Sequence, residues 1–95
     1  MTVGSCKIEL RIPGSGSLKD KRRIVKSLKD RAQARFNIGI AEVDRLDEWQ
    51  RATLGIATVS NDARVVDEVL SKVVNWIEVS GEVLVVDYEI DLVAH

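Results

Sequence analysis

The hydrophobic period of this chain changes from two to 3.6 and back, and does so twice. Along residues 3–12, VGSCKIELRI, Cys6, Ile8, Leu10 and Ile12 fall on one face and Lys7, Glu9 and Arg11 on the other. That alternation describes a strand covered on one side. Along residues 17–36 the apolar positions Leu18, Ile24, Val25, Leu28, Ala32 and Phe36 recur at helical spacing. Residues 38–45 and 50–60 are short strand-like runs joined by Leu46–Trp49, which predicts an antiparallel hairpin. A second helix is expected over 62–79, where Val66, Val69, Leu70, Val73, Val74 and Ile77 recur, and a last strand over 83–92. The order β-α-β-β-α-β, with right-handed crossovers, gives a four-stranded antiparallel sheet in the order 4-1-3-2 with both helices on one face. The expected class is therefore α+β, a ferredoxin-like sandwich forming one domain over residues 1–95.

Local punctuation supports each boundary. Pro13 stops the first strand, and Gly14, Ser15 and Gly16 form a loop. Ser17 is an N-cap with Asp20 at the third helical position. Asn37 is expected as a left-handed stop, Asn61 and Asp62 offer a cap to the second helix, and Gly81 ends it. In the last strand, Leu84, Val86, Tyr88, Ile90 and Leu92 share one face, and Asp87, Glu89 and Asp91 the other. Since that strand lies beside the first, the acidic row is expected to pair with Lys7 and Arg11. For 50–60 two faces compete, Leu54 and Ile56 against Thr53, Gly55, Ala57 and Val59. With Leu54 and Ile56 inward, Gly55 and Ala57 leave a flat outer strip suited to a homodimer.

Charge separates one segment from the rest. Residues 17–36 hold eight of the fourteen basic residues against two acids, a charge of +6, while the remainder carries −7. Lys19, Arg22, Arg23 and Lys26 crowd the face opposite the apolar stripe, and Ser17 and Lys21 complete the candidate anion-binding set. Phosphate contacts need only such a row of cations. Base stacking on the sheet is not expected, because Phe36, Trp49, Trp76 and Tyr88 are the only aromatics and none falls on the outer face of a central strand. Trp49, Gln50 and Arg51, at the hairpin turn, form a second candidate surface, where either a partner or the hairpin itself would bury the indole.

Chemistry beyond binding finds little support. One His, at position 95, and one Cys exclude a metal centre and leave no positioned nucleophile pair. Glu42 with Asp44, and the row at 87, 89 and 91, have the spacing of solvated strand carboxylates. No cofactor is implied. The loop Pro13–Ser17, feeding a helix N-terminus near Arg11, Lys19 and Arg22, suggests anion binding, as in a small hydrolase of the acylphosphatase type. The V-Q-G-V-x-F-R stretch of that family is absent. Cys6 lies in the alternating pattern as a small core residue. No apolar run approaches the ~18 residues of a membrane span, and no apolar leader follows Met1, so a cytoplasmic protein is expected.

The blocks RIPGSGSLKDKRRIVKSL (11–28), FN (36–37), AEV (41–43), DEWQRATLG (47–55) and VSND (59–62) together resemble the YlxP-like family of small bacterial proteins. The resemblance implies a ferredoxin-like fold and a bacterial origin. Such proteins are often encoded beside translation initiation and ribosome maturation factors, which implies a link to ribosomal or other structured RNA. It brings no catalytic residue with it. Its motif positions here are Ser17, Leu18, Lys19, Lys21 and Arg22, and the corner Trp49-Gln50-Arg51.

Overall fold

The computed structural model describes residues 1–95. Strand β1 (Thr2–Arg11) runs through the middle of the sheet and pairs antiparallel with β3 (Arg51–Ser60) on one side and β4 (Leu84–Ala94) on the other. Strand β2 (Gly39–Asp44) adds to the far side of β3, giving the order β2-β3-β1-β4. This is the expected 4-1-3-2 sheet counted from its other edge.

Helix α1 (Leu18–Arg35) follows β1, and α2 (Ala63–Glu78) follows β3. Both helices and the sheet share one core. Ile24, Val25 and Leu28 come from α1, and Val66, Leu70, Val73, Val74 and Ile77 from α2. They close over Cys6, Ile8, Leu10, Ala52, Leu54 and Ile56. Leu54 and Ile56 are fully buried, so the face of β3 left open by the sequence is settled: Gly55, Ala57 and Val59 look outward. Each such aliphatic side chain contributes about 1.5–3 kcal/mol through burial. That contribution holds α2, whose valines are poor helix formers, in place.

The caps act as read. Ser17 Oγ accepts from Asp20 N at 3.0 Å, and Asp62 Oδ1 accepts from Arg64 N at 2.9 Å. Asn37 is not the stop of α1. The chain leaves the helix through Phe36 in an extended conformation, and no residue there has positive φ. This turns the Phe36 ring edge-on to Trp76, with centroids 6.1 Å apart. Gly4 faces inward where α2 crosses β1, and a Cβ there would collide with Val66 and with Leu70 at 2.9 Å.

Strand β4 departs from the expected alternation. Its register on β1 shifts between Glu9 and Leu10, so Val85 faces Leu10 and packs on the core while Leu84 and Val86 are exposed. The acidic row keeps an unbroken register on β1 and meets only one of its two expected partners. Glu89 stands opposite Lys7, but Asp87 stands opposite Glu9 and Leu84 opposite Arg11. No ion pair joins Asp87, Glu89 or Asp91 to Lys7 or Arg11, contrary to the pairing read from the sequence.

Candidate functional site

The basic helix divides its cations between two environments. Lys19, Arg22, Arg23 and Lys26 are exposed, as expected. Lys21 is not: it is 0% exposed. Its Nζ donates to the carbonyl oxygens of Arg45 at 2.7 Å, Leu46 at 3.3 Å and Arg51 at 3.3 Å. Glu42 Oε2 lies 2.7 Å away. An ammonium has three N–H donors, and here four oxygens surround it. The shortest contacts are to Glu42 Oε2 and the Arg45 carbonyl, both at 2.7 Å, and the carbonyls of Leu46 and Arg51 complete the shell at 3.3 Å. Lys21 is therefore a buried clasp and offers nothing to an external anion, which corrects its place in the candidate set.

The clasp grips both ends of the segment joining β2 to β3. Within that segment Arg45 adopts a left-handed backbone with φ 60°, unusual for a residue with a side chain. Its carbonyl is fixed by Lys21, and its guanidinium bridges Glu9 and Glu48, each at 3.1 Å. Glu9 also accepts from Thr53 Oγ1 at 2.7 Å. Desolvation works to raise the Glu9 pKa, but the hydrogen bonds from Thr53 and Arg45 and the neighbouring positive charges outweigh it and hold the carboxyl below its ordinary range. Gln50 Nε2 donates to the carbonyl of Ser15 at 3.1 Å, tying this corner to the loop before α1. Gln50 is thus a strut between two loops.

The Pro13–Ser17 loop uses its own donors. Ser15 N donates to Ile12 O at 3.1 Å, Gly16 N to Asp20 Oδ2 at 3.3 Å, and Asp20 N to the Ser17 hydroxyl at 3.0 Å. These are the N–H groups an anion cradle would need, and a carboxylate already sits among them. Ser17 acts as the helix cap.

On α1, Lys26 is paired with Asp30 at 2.7 Å, and the hydrogen bond from this partner raises its pKa. Lys19, Arg22 and Arg23 enter no ion pair. At the corner, Trp49 is 56% exposed and Arg51 is exposed beside it. These two line an open cleft of about 760 Å³ together with Arg11, Glu48, Gln50 and Val86. Arg11, Glu42 and Arg45 carry much of this arrangement; Arg45 was not among the candidates, Glu42 was read as a solvated strand carboxylate, and Arg11 as a neighbour of the Pro13–Ser17 loop. Glu42 shares the inward parity of Ile40, a signal that a buried partner awaits it. No group of three or more His, Cys, Asp or Glu is placed to hold a metal ion, and no helix is long and apolar enough to cross a membrane.

Comparison with known proteins matches residues 3–90 to the family described as "Protein of unknown function (DUF503)". The chain is also similar to "Uncharacterized protein YlxP" of Bacillus subtilis (strain 168), with 36% identity over 81 residues, which covers 85% of this chain and 88% of that one. The matched span takes in β1, the whole of α1, the Lys21 clasp and the Trp49 corner. With both matches extending over most of its length, the chain belongs to the DUF503 family of YlxP-like proteins.

Proposed function

We propose that this ferredoxin-like domain is a non-catalytic binding module that docks on structured RNA, such as that of the ribosome, through the exposed face of α1. The observation that carries the reading is the state of Lys19, Arg22 and Arg23. All three are exposed, lie within about 100° of one another around the helix, and have no acidic partner in the fold. Cations left free on a rigid helix are suited to phosphate oxygens, which supply affinity without reading sequence. Such a role belongs in the cytoplasm.

The test is co-sedimentation with ribosomal subunits across a salt series. Wild type is expected to sediment at low salt, with log affinity falling by about 0.7–0.9 per log unit of salt for each phosphate contact. Arg22→Glu/Arg23→Glu should lose association while melting like wild type, because both side chains are exposed. Failure of both forms to sediment at low salt removes RNA as the partner. Equal sedimentation of both removes α1 as the surface.

A second reading concerns assembly. On the outer face of the sheet, Val3 faces Val59 on one side and Val93 on the other, and Val59 and Val93 are about half exposed. Val43, Gly55 and Ala57 extend this apolar strip as a shallow trough. A second copy of the chain laid on that face would cover it.

A further inference from the structure

Arg11 and Arg51 stand directly opposite one another across β1 and β3. Ile12 N donates to Gln50 O at 2.8 Å, which sets the phase of the ladder at this end. Arg11 and Arg51 therefore fall in the adjoining narrow pair, where opposed side chains come closest. Like charges in that position repel. The fold supplies neither with a counter-ion. The nearby acids are engaged elsewhere: Glu9 with Arg45 and Thr53, Glu48 with Arg45, and Asp87 as acceptor for Tyr88 N. On its other side Arg11 stands opposite Leu84 of β4, so no acid faces it there.

Two uncompensated guanidiniums side by side make a phosphate seat, since each fork can hold two oxygens. The rest of the cleft gives that phosphate its context. Trp49 presents an exposed indole on a segment whose ends are clamped by Lys21, so the ring is accessible without being loose. Val86, turned outward by the register shift in β4, adds an apolar patch. The volume of about 760 Å³ falls within the range of small-ligand clefts. A phosphate joined to a flat aromatic body fits this combination, and that is a nucleotide.

We infer that this cleft binds one nucleotide of single-stranded RNA, with its phosphate between Arg11 and Arg51 and its base stacked on Trp49. The site lies on the outer face of the sheet, opposite the layer that holds α1, and does not depend on the helix. A free mononucleotide presents the same chemistry.

Fluorescence anisotropy of 5′-fluorescein-labelled octauridine, read against the full-length protein, tests the assignment. Trp49→Ala should weaken binding roughly tenfold or more, and Trp49→Phe should stay close to wild type. Arg11→Ala/Arg51→Ala should also bind weakly, with a salt slope lower by about 0.7 for the lost phosphate contact. Competition by adenosine 5′-monophosphate at an affinity near that of the octamer identifies a free nucleotide as a sufficient ligand. Much weaker competition identifies the strand. Both results support the site. Arg22→Glu/Arg23→Glu is expected to keep adenosine 5′-monophosphate binding even where it loses ribosomal subunits, which separates this assignment from the role of α1. The assignment falls if wild type does not bind the octamer, or if folded Trp49→Ala and Arg11→Ala/Arg51→Ala bind like wild type. It falls equally if inorganic phosphate displaces the octamer as well as adenosine 5′-monophosphate does, because the indole then contributes nothing.

Discussion

Lys21 Nζ donates to the carbonyl of Arg45 across 2.7 Å, and so ties the N-terminal end of the buried face of α1 to the one non-glycine residue with a left-handed backbone. A charge in that place costs several kcal/mol of desolvation, which only a full set of partners offsets.

Removing one side of the clasp should therefore be severe. Lys21→Ala leaves the largely covered Glu42 carboxylate without its counter-charge and three carbonyls without a donor, a loss of about 3–5 kcal/mol. Arg22→Ala, one residue along and exposed, should change stability by less than about 0.5 kcal/mol. Urea denaturation of both variants decides the matter. Equal midpoints mean that Lys21 is not the residue holding the corner.

Acid should weaken the fold partly through Glu9. Its carboxyl is held below the ordinary value of 4.5, so the folded state releases its proton more readily than the unfolded chain does. The stabilisation is then complete above about pH 4.5 and is lost as pH falls through the folded pKa. Glu9→Gln should cost about 1–2 kcal/mol at neutral pH, from the weakened bonds to Thr53 and Arg45. The cost should shrink as the pH is lowered below 4.5. A cost that stays constant from pH 7 to pH 3 excludes this contribution.

Cys6 should resist thiol reagents. Burial pushes its pKa up to about 11, and the side chain is 2% exposed. At pH 8 the native thiolate fraction is about a hundredfold below that of an ordinary cysteine, before access is considered. Labelling with a chromogenic disulfide should be slow in buffer and rapid in denaturant. Similar rates in the two conditions mean that β1 opens readily.

Light scattering addresses the apolar strip of the outer face. A mass of about twice the 10.6 kDa of one chain is expected, with Val59→Lys reverting to a single chain. A wild-type mass of 10.6 kDa at working concentrations removes the dimer.

Much of the architecture was legible because local signals and tertiary demands agree. Cys6, Ile8 and Leu10 alternate as a half-covered strand must, and Ser17 and Asp62 cap the helices that follow them. Lys21 was misread because its charge was weighed above its position. It stands three residues from Leu18 and Ile24, four from Val25 and seven from Leu28, at the centre of the apolar stripe. Spacing alone marked it as buried, and the inward parity of Glu42 marked its partner. The register shift in β4 left no such trace. Val85 and Val86 are chemically alike, so either satisfies the alternation, and only pairing with β1 selects between them. The Arg11–Arg51 pair was hidden for the same reason, since adjacency across strands is a property of register.

The acidic row of β4 acquires a different meaning once its expected basic partners are gone. β4 is an eleven-residue edge strand, a length that leaves a long ladder of backbone groups open to any passing chain. Asp87, Glu89 and Asp91 make two such edges repel each other, and the register shift between Glu9 and Leu10 bends the ladder out of true. Both features disfavour edge-to-edge pairing of two copies. Neutralising the three acids would leave the fold standing and make the protein prone to precipitate.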